Sequence, residues 1–204
     1  MNRIFQVDRV LTGIRRVLIR AGAVLSVIAM ASVHAVAEEW VPEPEQSRIG
    51  FRALQMGAPF EGEFKRYRAS IAFDPERLDQ SQVSFIVDID SVDTQNAERD
   101  AAIQSADWFD ASNHPTAIFV SEGFTAVGDS RYEAEGALTM RGVTRPVVFP
   151  FTLDIVVQEG RQIARVDGTL PVSRTEYGIG QGQWAGDSVV GERVFIQVDL
   201  TAVR

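Results

Sequence analysis

Residues Val83–Phe109 read VSFIVDIDSVDTQNAERDAAIQSADWF, and the hydrophobic period changes part-way along them. Val83, Phe85, Val87 and Ile89 stand at every second position, with Ser84, Asp88 and Asp90 between them and Ile86 as the exception. That is the pattern of a strand with one buried face. From Asn96 to Gln104 the alternation is gone. The segment holds no glycine or proline and no β-branched residue except Ile103, so it predicts a helix of about two or three turns. Asp93 or Thr94 is the expected N-cap, and Ser105 the expected cap of a second short turn through Asp107, Trp108 and Phe109, ending before Asn113-His114-Pro115. A single short helix among strands, finishing in two aromatic rings, is suited to closing one end of a barrel.

Outward from this segment the period of two continues. Ile49, Phe51 and Ala53 share a face, as do Tyr67, Ala69, Ile71 and Phe73. Ile118 and Val120 form another such face, with Phe119 expected on the opposite side. Tyr132, Ala134 and Leu138 follow, then the runs Val147–Val157 and Ile163–Val172, and finally Val194, Ile196, Val198 and Leu200. About eight strands result, enough to close a small barrel. Gly128-Asp129-Ser130, Arg141-Gly142 and Glu159-Gly160 are tight-turn sequences, and short turns between successive strands require antiparallel neighbours. Pro150 interrupts a strand and cannot donate to a ladder, which predicts an edge or a bulge there. Trp40–Gln46, with Pro42 and Pro44, reads as an extended lead-in.

Residues 1–37 predict a secretory leader: five arginines against Asp8, a run of 13 mostly apolar residues from Ala21 to Val33, and small residues at Ala35-Val36-Ala37. The apolar run is shorter than the roughly 20 residues needed to span a bilayer. Cleavage after about Ala37 would leave one domain, residues 38–204, in the periplasm. It would hold 15 basic and 27 acidic residues, a net charge of −12. Such a surface repels phosphate backbones, so nucleic acid is not an expected partner. Cysteine is absent, which excludes thiolate metal sites and cysteine nucleophiles. The domain's one histidine, His114, leaves no basis for a Ser-His-Asp triad or a histidine zinc site. Asp93 and Asp107 could form an acid/base pair, but their places around a helix fit capping better, so no enzyme activity is expected. Asp88, Asp90 and Asp93 lack the glycine spacing of a calcium loop, and no metal is expected.

Ser91-Val92-Asp93-Thr94, Arg99-Asp100, Ser105 and Asp107 recur in this order with Leu138-Thr139, Gly142-Val143-Thr144 and Pro146-Val147. On these residues the chain, from about Ser47 to Val203, resembles the YceI-like family of bacterial periplasmic proteins. The resemblance implies an all-β, eight-stranded antiparallel lipocalin-like barrel that binds a polyisoprenoid lipid. QMGAPFEGEF and GIGQGQWAGDSVVGERVFIQVDL look like the subgroup found beside, or fused with, membrane b-type cytochromes, which implies a quinone-related role. Many relatives carry histidine where this chain has Ala102, and histidine or lysine at Arg141, so no histidine function carries over to either place.

A small barrel is either packed solid or encloses a ligand, and spacing alone leaves both open. The candidate lining is Phe51, Met56, Phe60, Phe64, Phe73, Phe85, Trp108, Phe109, Phe119 and Phe149. Arg99, Arg174 and Tyr177 are candidate contacts for a polar head group, and Trp184 a candidate cover for the opening. With the resemblance, these residues imply a non-covalently held isoprenoid quinone or polyprenyl lipid and no other cofactor. An accessory partner of a membrane cytochrome with a filled barrel is the alternative. Whether the protein is a monomer or a homodimer is left open.

Overall fold

A computed structural model describes residues 38–204; the expected leader lies outside the described residues. The strands are β1 (Glu39–Pro42), β2 (Arg48–Gln55), β3 (Ala58–Phe64), β4 (Tyr67–Ala72), β5 (Gln82–Asp88), β6 (Val92–Asp93), β7 (Thr116–Gly128), β8 (Arg131–Met140), β9 (Val143–Gln158), β10 (Arg161–Ser173) and β11 (Arg193–Val203). One helix, α1 (Ala97–Gln104), lies between β6 and β7. Every ladder is antiparallel. β1 pairs with β4 and β11, β2 with β3 and β11, β4 with β5, and β3 with β6. Each of the pairs β1/β2, β3/β4 and β5/β6 is therefore one long wall strand with a break in it. Counted so, eight strands follow one another around a closed barrel.

The breaks have local causes. Pro44 begins a single 3-10 turn between β1 and β2. The other two breaks are stitched together by Ser91: its carbonyl accepts from Lys65 N, and its hydroxyl accepts from Arg66 N and donates to the Asp88 carbonyl at 2.6 Å.

The lead-in expected at Trp40–Gln46 is instead the strand that closes the barrel. Trp40 is only 4% exposed and its indole N–H donates to the Phe73 carbonyl at 2.8 Å, so a large apolar ring anchors a short strand despite the flanking prolines. The expected edge at Pro150 is present. The β9/β10 ladder ends at Phe151–Gly168, whereas β8/β9 and β10/β11 continue beyond it. Pro146, Pro150 and Pro171 all lie where β9 and β10 no longer pair with each other, so a missing N–H on that side leaves no bond unmade. The faces expected on β7 are exchanged: Phe119 turns inward and Val120 is 47% exposed. Its register opposite Phe85 and Leu138, both inward, decides the matter.

The hairpins at Met56-Gly57, Arg141-Gly142 and Glu159-Gly160 all have positive φ at both central residues, the type I′ geometry that matches strand twist. The helix starts one residue later than expected. Its N-cap is Asn96, whose side chain accepts from Arg99 N at 3.0 Å, rather than Asp93 or Thr94. Asp93 instead accepts from Gln95 N, and Thr94 donates through both its backbone N and its hydroxyl to Asp100. The expected second short turn through Asp107, Trp108 and Phe109 forms, but the Ser105 side chain does not cap it. Its hydroxyl turns back to the Ala102 carbonyl, and its own carbonyl accepts from Trp108 N to form a turn.

Because the strands form a meander, alternate connections gather at each end. The β2/β3 and β8/β9 hairpins, α1 with its following turn, and the long β10/β11 connection share one end. The start of β1, the end of β11 and the remaining turns share the other.

The barrel cavity and its two ends

A cavity of about 240 Å³ runs inside the barrel. An apolar void of roughly 150 Å³ already admits benzene, so this one has room for a ligand. Its wall is apolar from Trp40 and Phe73 at the terminal end to Ile103, Trp108, Ile179 and Val190 at the other, with Arg174 the one charged residue on it.

The number of phenylalanines makes an open bore look improbable until their neighbours are considered. Phe51 lies over Gly62, Phe119 over Gly136 and Phe149 over Gly168, so closely that a Cβ on any of these glycines would overlap the ring. A ring laid flat on a bare backbone occupies the wall rather than the axis.

At the terminal end Phe73 packs edge-on against Phe124, Tyr132 and Phe151, with centroids 5.0, 5.5 and 5.9 Å away, and Tyr132 stacks on Phe151. Trp40 is fixed beneath by its bond to Phe73, with the Arg204 guanidinium 4.4 Å over its ring. This is an aromatic plug.

The opposite end is held by polar bonds. Arg174 is 2% exposed, and none of the ion pairs among the described residues includes it. Its guanidinium donates to the carbonyls of Trp184 (2.7 Å), Ile179 and Gly186 (both 2.8 Å), Val190 (2.9 Å) and Gly191 (3.1 Å). Burial lowers its pKa. The β10/β11 connection is thus wrapped around one cation. Gly180, at φ +81°, is required there, since any side chain would overlap the guanidinium. The wrapped loop is tied to the turn after α1: Gly180 N and Gln181 N both donate to the Asp107 carbonyl, and the ring of Trp184 lies 5.7 Å from that of Trp108. Met56 N donates to the Val189 carbonyl and so joins the β2/β3 hairpin to the same lid.

The YceI-like domain family matches residues 40–202, which are almost the whole of this barrel. The chain belongs to the YceI-like family. A UPF0312 protein of Vibrio cholerae is 31% identical over 155 residues, covering 74% of this chain and 78% of that protein. Among solved structures, Burkholderia cenocepacia BcnA is similar with a TM-score of 0.72 and 31% identity, over 78% of this chain and 98% of that one. A polyisoprenoid binding domain from Saccharophagus degradans, implicated in plant cell wall breakdown, has the same fold at a TM-score of 0.58 and 13% identity, over 82% of this chain and 98% of that one.

In this YceI-like barrel Phe51, Phe60, Phe64, Phe73, Phe85, Trp108, Phe109, Phe119 and Phe149 all line the cavity. Four other candidates stand outside it. Met56 is 80% exposed at a hairpin tip, because its left-handed φ belongs to the turn and not to the alternating strand. Arg99 lies over the Phe60 ring at 4.4 Å and joins Arg48, Glu61 and Asp93 around a polar groove. Trp184 covers Trp108 without reaching the wall. Tyr177, 2% exposed, packs with Val147, Phe149, Leu170 and Val172 where β9 and β10 part; burial raises its pKa. The lining contributed by Ile179 and Val190 was not anticipated, since both sit in an irregular loop without periodicity. Arg174 appeared only as a head-group contact, and no local signal marks it as the centre of a fold-back.

Proposed function

We propose that this YceI-like protein binds an isoprenoid lipid, of quinone or polyprenyl type, inside its barrel and carries or presents it without covalent chemistry. The protein would act in the periplasm after removal of residues 1–37. The observation that carries this reading is the continuous apolar cavity with one charged residue on its wall. Apolar burial contributes about 25 cal/mol per Å², so a prenyl chain losing on the order of 400 Å² to such a wall gains about 10 kcal/mol before ordering costs. Few polar contacts are then required. The naming of the Saccharophagus domain as polyisoprenoid binding supports the same ligand class. A role as the filled-barrel partner of a membrane b-type cytochrome would need a solid interior, and the cavity favours the carrier over it. Native mass spectrometry of protein from lipid-replete cells, with extraction of the bound material, tests the proposal. A stoichiometric prenyl lipid is expected, and consistently empty protein would overturn it.

A further inference from the structure

We infer that the tip of the β2/β3 hairpin docks this protein, lid end first, on a zwitterionic lipid surface. Met56 and Leu54 enter the acyl boundary, and Arg52 and Arg99 reach the phosphates behind them. The choice of a lipid surface rests in part on the lipid reading, because a prenyl chain is stored in bilayers and not in water.

The fold does not account for the residue at the tip. Met56 is 80% exposed and sits at φ +50°, a left-handed conformation that favours Asn, Asp or Gly. The equivalent residues of the other two type I′ hairpins are polar: Arg141 bonds the Ala106 carbonyl, and Glu159 is charged and exposed. Methionine thus serves neither the turn nor the core. Leu54, 47% exposed, pairs across the hairpin with the exposed Pro59, and Ala58 beside the tip is exposed as well. No residue from Ala53 to Phe60 carries a charge. A Cβ on Gly57 would meet nothing within 4 Å, so the tip stands clear of the rest of the molecule.

Shape and charge select the partner. A convex two-residue tip offers far less than the roughly 1,200 Å² that a specific protein interface buries, yet it suits insertion among lipid head groups. The first charged residue behind it on β2 is Arg52, about 13 Å back along an extended strand. On the β3 side Arg99 lies over Phe60, its guanidinium 4.4 Å from the ring centre. Neither arginine is in an ion pair among the described residues, whereas Glu61, the first acid of the hairpin, lies 3.6 Å from Arg48. An apolar tip with cations behind it is the arrangement of an interfacial anchor. The acidic balance of residues 38–204 opposes an anionic surface, which leaves a zwitterionic one. The hairpin is also bonded to the lid: Met56 N donates to the Val189 carbonyl, and Gly191 N donates to the Leu54 carbonyl at 2.9 Å. Docking therefore sets the lid against the bilayer.

The chain has no cysteine, so single labels can be placed cleanly. M56C and V157C, the latter at a 72% exposed position on the opposite end, would each carry a polarity-sensitive fluorophore on exported protein. Phosphatidylcholine vesicles free of prenyl lipid should blue-shift the M56C label, and a quencher on the acyl chains should reach it, while the V157C label stays unchanged. Unlabelled Met56→Asn, which suits the turn better and should keep the unfolding midpoint, should partition onto vesicles about tenfold less than wild type, and Met56→Trp more. High salt should leave wild-type partitioning in place, since apolar insertion is not screened. Equal response of the two labels, unchanged partitioning of Met56→Asn, or no binding to protein-free vesicles would overturn the docking; the last is also the result expected if the tip met a protein partner. Because the vesicles hold no prenyl lipid, none of these outcomes bears on the cavity's ligand, which the native mass measurement decides separately.

Discussion

One end of this barrel is stopped by rings packed on rings, and the other by a loop wound about a guanidinium. The plug of Phe73, Phe124, Tyr132 and Phe151 is stabilised by apolar burial and dispersion, and opening it exposes all of that surface to water. The lid at Arg174 is stabilised by hydrogen bonds whose acceptors are main-chain carbonyls, and water can replace each of them as it opens. Polar closure has a smaller net opening energy than aromatic closure. A ligand should therefore enter and leave beneath the lid, while the plug belongs to the global stability of the fold.

Three substitutions sharpen this contrast. Phe73→Ala should cost about 3–5 kcal/mol in urea unfolding, because it removes the ring on which three others pack. Gly62→Ala should cost about 1–3 kcal/mol by overpacking. Here the atoms nearest the new methyl belong to the side chains of Phe51 and Thr94, so the Phe51 ring should tip into the bore and prenyl hydrocarbon binding should fall. Arg174→Met should change global stability least of the three, because the lid can unwind locally to bring its freed, otherwise buried carbonyls to water while the barrel stays folded. Hydrogen exchange across Ile179–Gly191 should nonetheless accelerate strongly, and ligand dissociation with it. If Arg174→Met lowered the unfolding midpoint as far as Phe73→Ala, the two ends would not differ in kind.

Much of the wall was legible because strands with one buried face repeat every second residue, and Arg141-Gly142 and Glu159-Gly160 announce their turns by chemistry. Where the rule is silent, reading failed for a physical reason. Ile118-Phe119-Val120 is apolar throughout, so only pairing with Phe85 and Leu138 could say which faces inward. Trp40 sits among prolines, and its strand exists through contacts with Phe73 and the chain's last residues, more than thirty positions away at the nearest. The hollowness of the barrel depends on glycines beneath rings on neighbouring strands, such as Gly136 beneath Phe119, a pairing that spacing along one strand cannot express. Arg174 gathers carbonyls scattered over the next seventeen residues, and a lone arginine after a strand carries no mark of it.

The smallest expected effect concerns acid, and it distinguishes the ends by their carboxylates. Glu192, at the foot of the lid, accepts from the hydroxyls of Ser173 (2.6 Å) and Thr175 (3.1 Å), and those bonds, aided by the charges of Arg174 and Arg193, hold its pKa below the usual carboxylate range. A carboxylate depressed in the folded state adds stability that is fully present above its unfolded pKa, about 4.3, and is lost as pH falls through the lower folded value. Near the plug, Asp74 is depressed chiefly by the Glu76 backbone N–H and next by Arg77, so acid acts there too, but on a surface turn and not on the rings. Lowering pH from 6 to about 3 should therefore increase lid opening, read from exchange at Ile179–Gly191, and Glu192→Gln should flatten that dependence while Asp74→Asn leaves it intact. Were Asp74→Asn to flatten it instead, the acid response would belong to the terminal end, and the lid would not be the element that yields first.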